Sequence, residues 1–267
     1  MGYSKYWRHL KSVDFADIDR DKTVVILPLA AIEQHGPHLP LDVDCQINEG
    51  ILKELVENAP VSLPFLILPA QCIGYSAEHT TFPGTLSYSP SMSIDLWISI
   101  ASQVISLGFS RLILFNSHGG NSDLMRVVLR QLRAKYQVAV VAASWYRMVE
   151  LEKFVNPAEL EHGIHGGFIE TSLMLHLAPE SVDMAKATYF RSAGIDLAKQ
   201  NMFLSATGKI QLGWMTQDLN AAGAVGDASN ATAEIGLKLM ASASKSLIQL
   251  ITEVSSFDLK VLCDEIG

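Results

Sequence analysis

The sequence is poor in charge and in cysteine. Asp, Glu, Lys and Arg make up only 18% of its 267 residues, and its three cysteines include no Cys-x-x-Cys pair, which removes the common zinc and thiol redox motifs. A net charge of −8 without a long basic run argues against a nucleic-acid partner. The longest apolar run, 24–32, is too short to cross a bilayer, and the first ten residues have neither the apolar region nor the cleavage site of a secretory signal. We therefore expect a reduced, cytoplasmic protein with no membrane partner.

Apolar sequence, in contrast, is abundant. It makes up 49% of the chain, with a mean hydropathy of +0.22, which favours strands buried on both faces. Hydrophobic periodicity predicts strands at 23–27, 65–68, 111–115 and 138–143, and helices at 46–57, 91–107, 122–136, 167–177 and 228–254. Alternating strands and helices indicate a parallel sheet covered on both sides. We predict an α/β fold, a single layered α/β/α domain over residues 1–267 with a mainly parallel central sheet.

A dense group of potential metal ligands follows the first predicted strand. The segment from Glu33 to Asp44 contains two histidines and three carboxylates within twelve residues. Carboxylates and imidazoles together bind divalent ions such as Zn²⁺, Mn²⁺ and Fe²⁺. Molecules that bind to parallel α/β sheets lie beyond the carboxyl ends of the strands. Gly36 and two prolines allow an irregular backbone in this segment. We predict that Glu33, His35 and Asp44 converge on a metal site.

Three further loops carry histidine or glutamate beside glycine. Asn116-Ser117-His118-Gly119-Gly120-Asn121 follows the third predicted strand, and its glycines allow a ligand to approach the backbone. Asn121 and the residues after it also predict the cap of the 122–136 helix. His165 precedes a helix whose first turn carries Glu170, and we predict catalytic roles for both. Candidate substrate-contacting residues are Glu78, His79, Gly119, Gly120, Asn121 and Trp145.

Each of these features has an ordinary alternative explanation. A His-Gly-Gly-Asn loop can be only a tight turn, Glu78 and His79 could form a structural or subunit contact, and Trp145 could belong to the core. The combination of loops is far more specific than any one of them. The chain has no Gly-x-Ser-x-Gly nucleophile elbow, no phosphate-binding loop and no dinucleotide fingerprint.

Together the motifs resemble the creatininase (creatinine amidohydrolase) family over nearly the whole chain. The matching segments are Glu33-x-His35-Gly36-x-His38-Leu39-Pro40, Asp44, Gly74-x-Ser76-x-Glu78-His79-x-x-Phe82-Pro83-Gly84-Thr85, Asn116-x-His118-Gly119-Gly120-Asn121, His165-x-Gly167-x-x-Glu170-Thr171-Ser172 and Gly223-x-Val225-Gly226-Asp227. The resemblance implies a layered α/β fold and a homo-oligomer, often a hexamer. It also implies two divalent metal ions, with Glu33 and His118 on one, His35 on the other and Asp44 bridging them.

One position departs from the family pattern. In creatinine-hydrolysing members the residue two after the histidine matching His118 is a metal-binding glutamate, whereas this chain has Gly120. Glycine offers no side-chain ligand, so one metal lacks a partner. We predict that Glu170 supplies the missing ligand. The same departure makes creatinine itself a less favoured substrate than the family name suggests.

The function predicted on this basis is metal-dependent amide hydrolysis. A water activated by Zn²⁺, Mn²⁺ or Fe²⁺ would attack the C–N bond of a small cyclic or linear amide, such as a creatinine-like ring or a formamide. His165 would carry the proton to the leaving nitrogen. Two alternatives stay open at this point: a non-catalytic metal- or ligand-binding member of the family, and a peptidase that trims a precursor peptide.

Overall fold

A four-stranded parallel sheet forms the centre of the protein. The computed structural model describes residues 4–208 and 210–262; Cys263 lies outside these ranges. The strands follow the order β2-β1-β3-β4, and each neighbouring pair is parallel. Their bounds are β1 (Val24–Leu29), β2 (Phe65–Ile67), β3 (Arg111–Asn116) and β4 (Ala139–Ser144). A separate antiparallel pair joins β5 (Tyr189–Phe190) to β6 (Gly226–Asp227).

Helices cover both faces of this sheet. Their bounds are α1 (Val43–Asn58), α2 (Pro90–Ser106), α3 (Ser122–Lys135), α4 (Pro157–His162), α5 (Phe168–Leu177), α6 (Gly194–Gln200), α7 (Thr216–Leu219) and α8 (Ala233–Ser256). Alternate residues of each strand point to opposite faces. Val24 and Ile26 of β1 join the core under α1, α5 and α8, whereas Val25 and Leu27 join the core under α2 and α3. The predicted α/β class with a parallel central sheet is confirmed.

Two predicted helix starts differ by several residues from the observed ones, and one predicted cap is absent. Helix α1 begins at Val43, three residues earlier than predicted, so Asp44 lies in its first turn rather than in a loop. Helix α8 begins at Ala233 rather than at residue 228. The Thr232 hydroxyl caps this start by accepting a hydrogen bond from the Ile235 amide. The predicted side-chain cap by Asn121 is wrong, because its side chain bonds to neighbouring loops instead. In the part of the chain that the structure describes, no helix has the length and hydropathy that a membrane span requires.

The close packing of α8 on α5 depends on Gly236. A β-carbon at this position would collide with the Ser172 carbonyl oxygen, which belongs to the α5 backbone. Alanine normally favours a helix over glycine by about 1 kcal/mol. Here we expect Gly236→Ala to lower the free energy of unfolding by about 1–3 kcal/mol, because overpacking against a backbone atom outweighs that gain. Urea denaturation measures the effect.

Gly213→Ala provides the control, since a β-carbon there would meet open space. We expect its unfolding free energy to stay near that of the unsubstituted protein. A Gly236→Ala variant as stable as this control would show that α5 and α8 can move apart without lowering the free energy of unfolding.

Candidate metal centre

Four chain segments meet beyond the carboxyl ends of β1 and β3. Glu33 and His35 follow β1, Asp44 lies in the first turn of α1, and His118 follows β3. His165 and Glu170 flank the start of α5. Glu33, His35, Asp44 and His118 are almost completely buried.

Asp44 stands between two imidazoles. Its Oδ2 lies 3.3 Å from His118 Nδ1, and its Oδ1 lies 4.0 Å from His35 Nε2. His118 Nδ1 is also 3.2 Å from Glu33 Oε1, and His35 Nε2 is 3.8 Å from Glu170 Oε2. The side chains therefore form two adjacent groups that share Asp44. Glu33 and His118 belong to the first group, and His35 and Glu170 belong to the second.

Backbone carbonyls orient both histidines. His118 Nε2 lies 2.8 Å from the Tyr75 carbonyl oxygen, and His35 Nδ1 lies 3.0 Å from the Glu33 carbonyl oxygen. Each of these nitrogens must carry the hydrogen, because a carbonyl oxygen only accepts. The other ring nitrogen then points towards Asp44, and in the neutral ring that binds a metal it presents a lone pair there. Metal-binding histidines are typically held in this way.

Several buried polar atoms of the cluster have no hydrogen-bond partner. Among the described residues these include Glu33 Oε2, His35 Nε2 and Asp44 Oδ2. Buried polar atoms are normally paired because an unpaired one costs about 1–3 kcal/mol. The ligand atoms of Glu33, His35 and Asp44 lie within 4.8 Å of one another. Nitrogen and carboxylate donors at this spacing suit Zn²⁺, Mn²⁺ or Fe²⁺, so the residues fit a divalent ion.

The charges of the cluster depend on one another. Burial raises the pKa of Glu33, but the facing imidazoles of His118 and His79 outweigh burial and hold that pKa well below its usual range. Burial lowers the pKa of His118, yet the carboxylates of Glu33 and Asp44 raise it well above its usual range. Burial also raises the pKa of Glu170 to about 7. The centre thus concentrates carboxylates that need cationic partners, a role that a divalent ion can fill.

His165 and His79 lie on the open side of this cluster. His165 Nε2 donates to the Gln34 carbonyl oxygen at 2.6 Å, so its Nδ1 faces Glu33 Oε1 at 3.7 Å. Burial lowers the pKa of His165 well below its usual range, and the nearby imidazoles of His35 and His79 add to the effect. His165 is therefore a neutral imidazole with a free lone pair beside the centre.

A cavity of about 820 Å³ opens onto the cluster. Of the predicted substrate-contacting residues, the cavity wall contains Glu78, His79, Gly119 and Gly120. Tyr75, Ile164, Leu212 and Trp214 also line it.

Neither Asn121 nor Trp145 lines this cavity. The Asn121 amide is fully buried and donates to the Ala30 carbonyl oxygen and to Asn116 Oδ1, so it joins loops together. Trp145 is 3% exposed and packs in the core beneath α1, α5 and α8. It borders a smaller cavity of about 270 Å³, which His165 and Glu170 also line.

The structure also identifies residues that were not predicted to belong to the site, although Ser76 is part of one matching family segment. The Gln34 side chain contacts two histidines of the site, Ser76 Oγ lies 3.3 Å from His118 Nε2, and Thr216 Oγ1 lies 2.9 Å from His79 Nδ1. Gln34 lies between Glu33 and His35 in the sequence, and this position was the only indication that it could belong to the site. Thr216 is distant in sequence and carried no signal.

Gly120 lies too close to its neighbours to be replaced by a longer residue. A β-carbon there would collide with the Tyr75 carbonyl oxygen and with the ring of His118. The backbone must shift before any side chain can stand at this position. The local structure of this loop is thus built around glycine.

This fold and this donor set define a class of protein. It is an α/β protein with a buried carboxylate–imidazole centre, of the type that binds divalent metals, at the carboxyl edge of its parallel sheet. A family model described as creatinine amidohydrolase matches residues 8–251. The chain therefore belongs to the creatininase family, and the predicted resemblance is confirmed.

The curated relatives differ in the reactions for which they are named. A mycofactocin precursor peptide peptidase from Mycolicibacterium smegmatis is 32% identical over 161 residues, which cover 60% of this chain and 60% of that protein. A creatinine amidohydrolase from Pseudomonas putida is 30% identical over 177 residues, covering 60% of this chain and 66% of that protein. The chain thus matches between three fifths and two thirds of the length of these relatives.

Solved structures of creatininases share the fold. A manganese creatininase superposes with a TM-score of 0.76 at 24% identity, covering 96% of this chain and all of that one. A mutant creatininase of the Zn–Zn type gives a TM-score of 0.75 at 25% identity, with the same coverage of this chain.

Proposed function

We propose that this chain is a metal-dependent amidohydrolase that uses water to cleave the C–N bond of an amide. The observation that carries the proposal is the set of buried, unpartnered ligand atoms on Glu33, His35 and Asp44, with His118 and Glu170 beside them. Glu33, Asp44 and His118 would hold one divalent ion, and His35, Asp44 and Glu170 the other. When bound, the ions supply Lewis-acid activation of water and of the amide carbonyl.

The protein's own side chains handle the proton. His165 has its Nε2–H fixed on the Gln34 carbonyl and its Nδ1 lone pair directed at the centre. Nδ1 can therefore accept a proton from the attacking water and return it to the leaving nitrogen, a contribution usually worth about 10²–10⁴-fold. Glu170 accepts a hydrogen bond from the Gly166 amide at 2.6 Å, which keeps its carboxylate turned towards His35.

Metal removal tests the proposal directly. We expect the purified protein to contain divalent ions and to lose its amidase activity on chelation, with recovery after Zn²⁺ or Mn²⁺ is returned. His118→Ala should lose both the metal and the activity. Full activity of both the stripped protein and the variant would contradict the proposal. Bound metal without turnover of any amide would favour the alternative of a non-catalytic family member.

Glu170→Gln tests the assignment of the second metal position. Glutamine keeps the size of the side chain and an acceptor for the Gly166 amide, but it removes the charged ligand oxygen. We expect the variant to bind one ion per chain where the unsubstituted protein binds two, because Glu33, Asp44 and His118 remain intact. Elemental analysis after gel filtration measures the ratio.

Glu180→Gln, an exposed position just after α5, is the matched control and should keep two ions. An unchanged metal content in Glu170→Gln would remove Glu170 from the ligand set.

The size of the cavity favours a substrate larger than one small ring. Its volume of about 820 Å³ lies in the upper part of the range of about 300–1,000 Å³ found for pockets that hold drug-sized ligands. The peptidase named among the relatives acts on a precursor peptide, and Gly120 departs from the creatinine-hydrolysing pattern. We therefore favour cleavage of a peptide or of a comparably large amide over hydrolysis of creatinine.

A substrate screen separates these possibilities. The metal-loaded protein is assayed against creatinine, formamidopyrimidines and short peptides under the same conditions. We expect the highest kcat/KM with a peptide and little turnover of creatinine. Efficient hydrolysis of creatinine alone would reverse this preference while leaving the metal mechanism intact.

A further inference from the structure

The Gln34 side chain is held in one orientation by the backbone. Its Nε2 donates to the Gly223 carbonyl oxygen at 2.8 Å, and its Oε1 accepts from the Gly36 amide at 3.0 Å. Exchanging the amide nitrogen and oxygen would place two acceptors together at Gly223 and two donors together at Gly36. Gly223 itself leaves room for this side chain, because a β-carbon there would collide with Gln34 Oε1. The Gln34 amide group therefore has a fixed direction.

This direction determines the hydrogen on His79. Gln34 Nε2 lies 2.8 Å from His79 Nδ1, so the second amide hydrogen points at that ring nitrogen. Nδ1 must then be the acceptor, and the hydrogen of the neutral ring is on Nε2. The Thr216 hydroxyl also lies 2.9 Å from Nδ1, but it donates its single hydrogen to the Glu78 carbonyl oxygen at 3.0 Å. The Gln34 amide is therefore the group that keeps Nδ1 without a hydrogen.

The Nε2–H of His79 faces the reaction centre. Nε2 lies 3.4 Å from Glu33 Oε1 and 3.9 Å from Glu78 Oε1, and His79 lines the main cavity. A nitrogen that carries hydrogen has no lone pair for a metal. His79 therefore differs from His35 and His118, whose backbone partners leave the inward nitrogen free.

The geometry points to His79 as a catalytic hydrogen-bond donor and to Gln34 as the residue that positions it. His79 Nε2–H donates to the substrate's carbonyl oxygen, where negative charge develops as water adds to the amide. Gln34 prevents the ring from adopting the other tautomer, in which the inward nitrogen would capture a metal. The catalytic part of this inference rests on the proposed amide hydrolysis, whereas the tautomer does not.

Nuclear magnetic resonance of ¹⁵N-histidine in the zinc-loaded protein tests the tautomer. The His79→Phe variant identifies the signals by their loss. We expect His79 to be protonated at Nε2 and unprotonated at Nδ1, and Gln34→Glu to reverse this, since a carboxylate accepts from Nδ1–H. Gln103→Glu, at an exposed position on α2, should leave the signals unchanged. Protonation at Nδ1 in the unsubstituted protein would overturn the inference, and this measurement needs no variant beyond the one used for assignment.

Kinetics and metal content test the catalytic part. We expect His79→Phe to keep its full metal content but to lose about 10²-fold or more in kcat with little change in KM, because the donor acts on charge that develops in the transition state. Gln34→Met should lower kcat in the same direction. Loss of metal in His79→Phe, or an unchanged kcat, would overturn the role given to His79. If the unsubstituted protein cleaves no amide, the proposed function fails, and the tautomer measurement still stands or falls by itself.

Discussion

Replacing Asp44 by Asn is expected to remove both ions and to abolish turnover. Asp44 presents one oxygen to His118 and the other to His35, at 3.3 and 4.0 Å, so in the proposed centre it is the one ligand shared by the two positions. Losing an outer-shell partner typically costs about 10–100-fold in metal affinity or activity. Losing the ligand that both ions share should lower the metal affinity at each position by more than this factor. Isothermal titration of the stripped protein with Zn²⁺ measures both affinities.

The substitution is nearly isosteric, which separates binding from folding. Burial raises the pKa of Asp44, and the neighbouring Glu33 charge acts in the same direction, so removing the charge should not unfold the stripped protein. Asp42→Asn, two residues earlier at the start of α1, is the matched control and should bind both ions normally. Two high-affinity ions in Asp44→Asn would exclude a bridging role.

Replacing Trp97 by Ala is expected to lower the free energy of unfolding by about 3–5 kcal/mol. Trp97 lies on α2 with no exposed surface, in the core that this helix shares with α3 and the sheet. Truncation would leave a void the size of the indole ring, which the surrounding helices can close only in part. That loss is a large fraction of the 5–15 kcal/mol that typically separates folded from unfolded proteins. Guanidinium denaturation monitored by circular dichroism measures it.

Two further variants on α2 make the result specific. Met92→Ala, at a residue 54% exposed, should change stability by less than about 0.5 kcal/mol. Trp97→Phe should cost less than Trp97→Ala because it keeps most of the apolar volume and removes the buried indole N–H, which has no hydrogen-bond partner among the described residues. If Trp97→Ala cost no more than Met92→Ala, the packing of this core would be looser than the structure indicates.

Periodicity was sufficient to place the strands and most helices to within a few residues. Each of the four sheet strands differs by at most two residues from its predicted bounds, because buried parallel strands consist of nearly unbroken runs of apolar residues. The start of α1 was harder to predict. The twelve residues from Glu33 to Asp44 resemble one polar loop, and only the backbone shows that α1 begins at Val43. Asp44 is therefore held by a sixteen-residue helix.

The convergence of Glu33, His35, Asp44 and His118 was predictable because these residue types follow strands that end at one edge of the sheet. Their motifs also identified the family, which the match over residues 8–251 confirms. The roles of these residues and of Glu170 as metal ligands stay predictions. Asn121 and Trp145 do not line the main cavity, although Trp145 borders the smaller cavity that His165 and Glu170 also line, so their predicted substrate contacts stay predictions.

The sequence by itself determined the residue types of the centre, their order along the chain and the α/β architecture, since each follows from local pattern. Only the tertiary structure decided which ring nitrogen faces the centre, which carboxylate oxygens lack a partner and how Gln34 is oriented. Those properties depend on the backbone carbonyl groups of Tyr75 and Gly223 and on the backbone amide of Gly36. Almost every residue type carries these groups, so the sequence does not show which of them will meet a side chain of the site. Folding brings these groups to the histidines, and the direction of each hydrogen bond then separates the candidate metal ligands from the candidate proton donor.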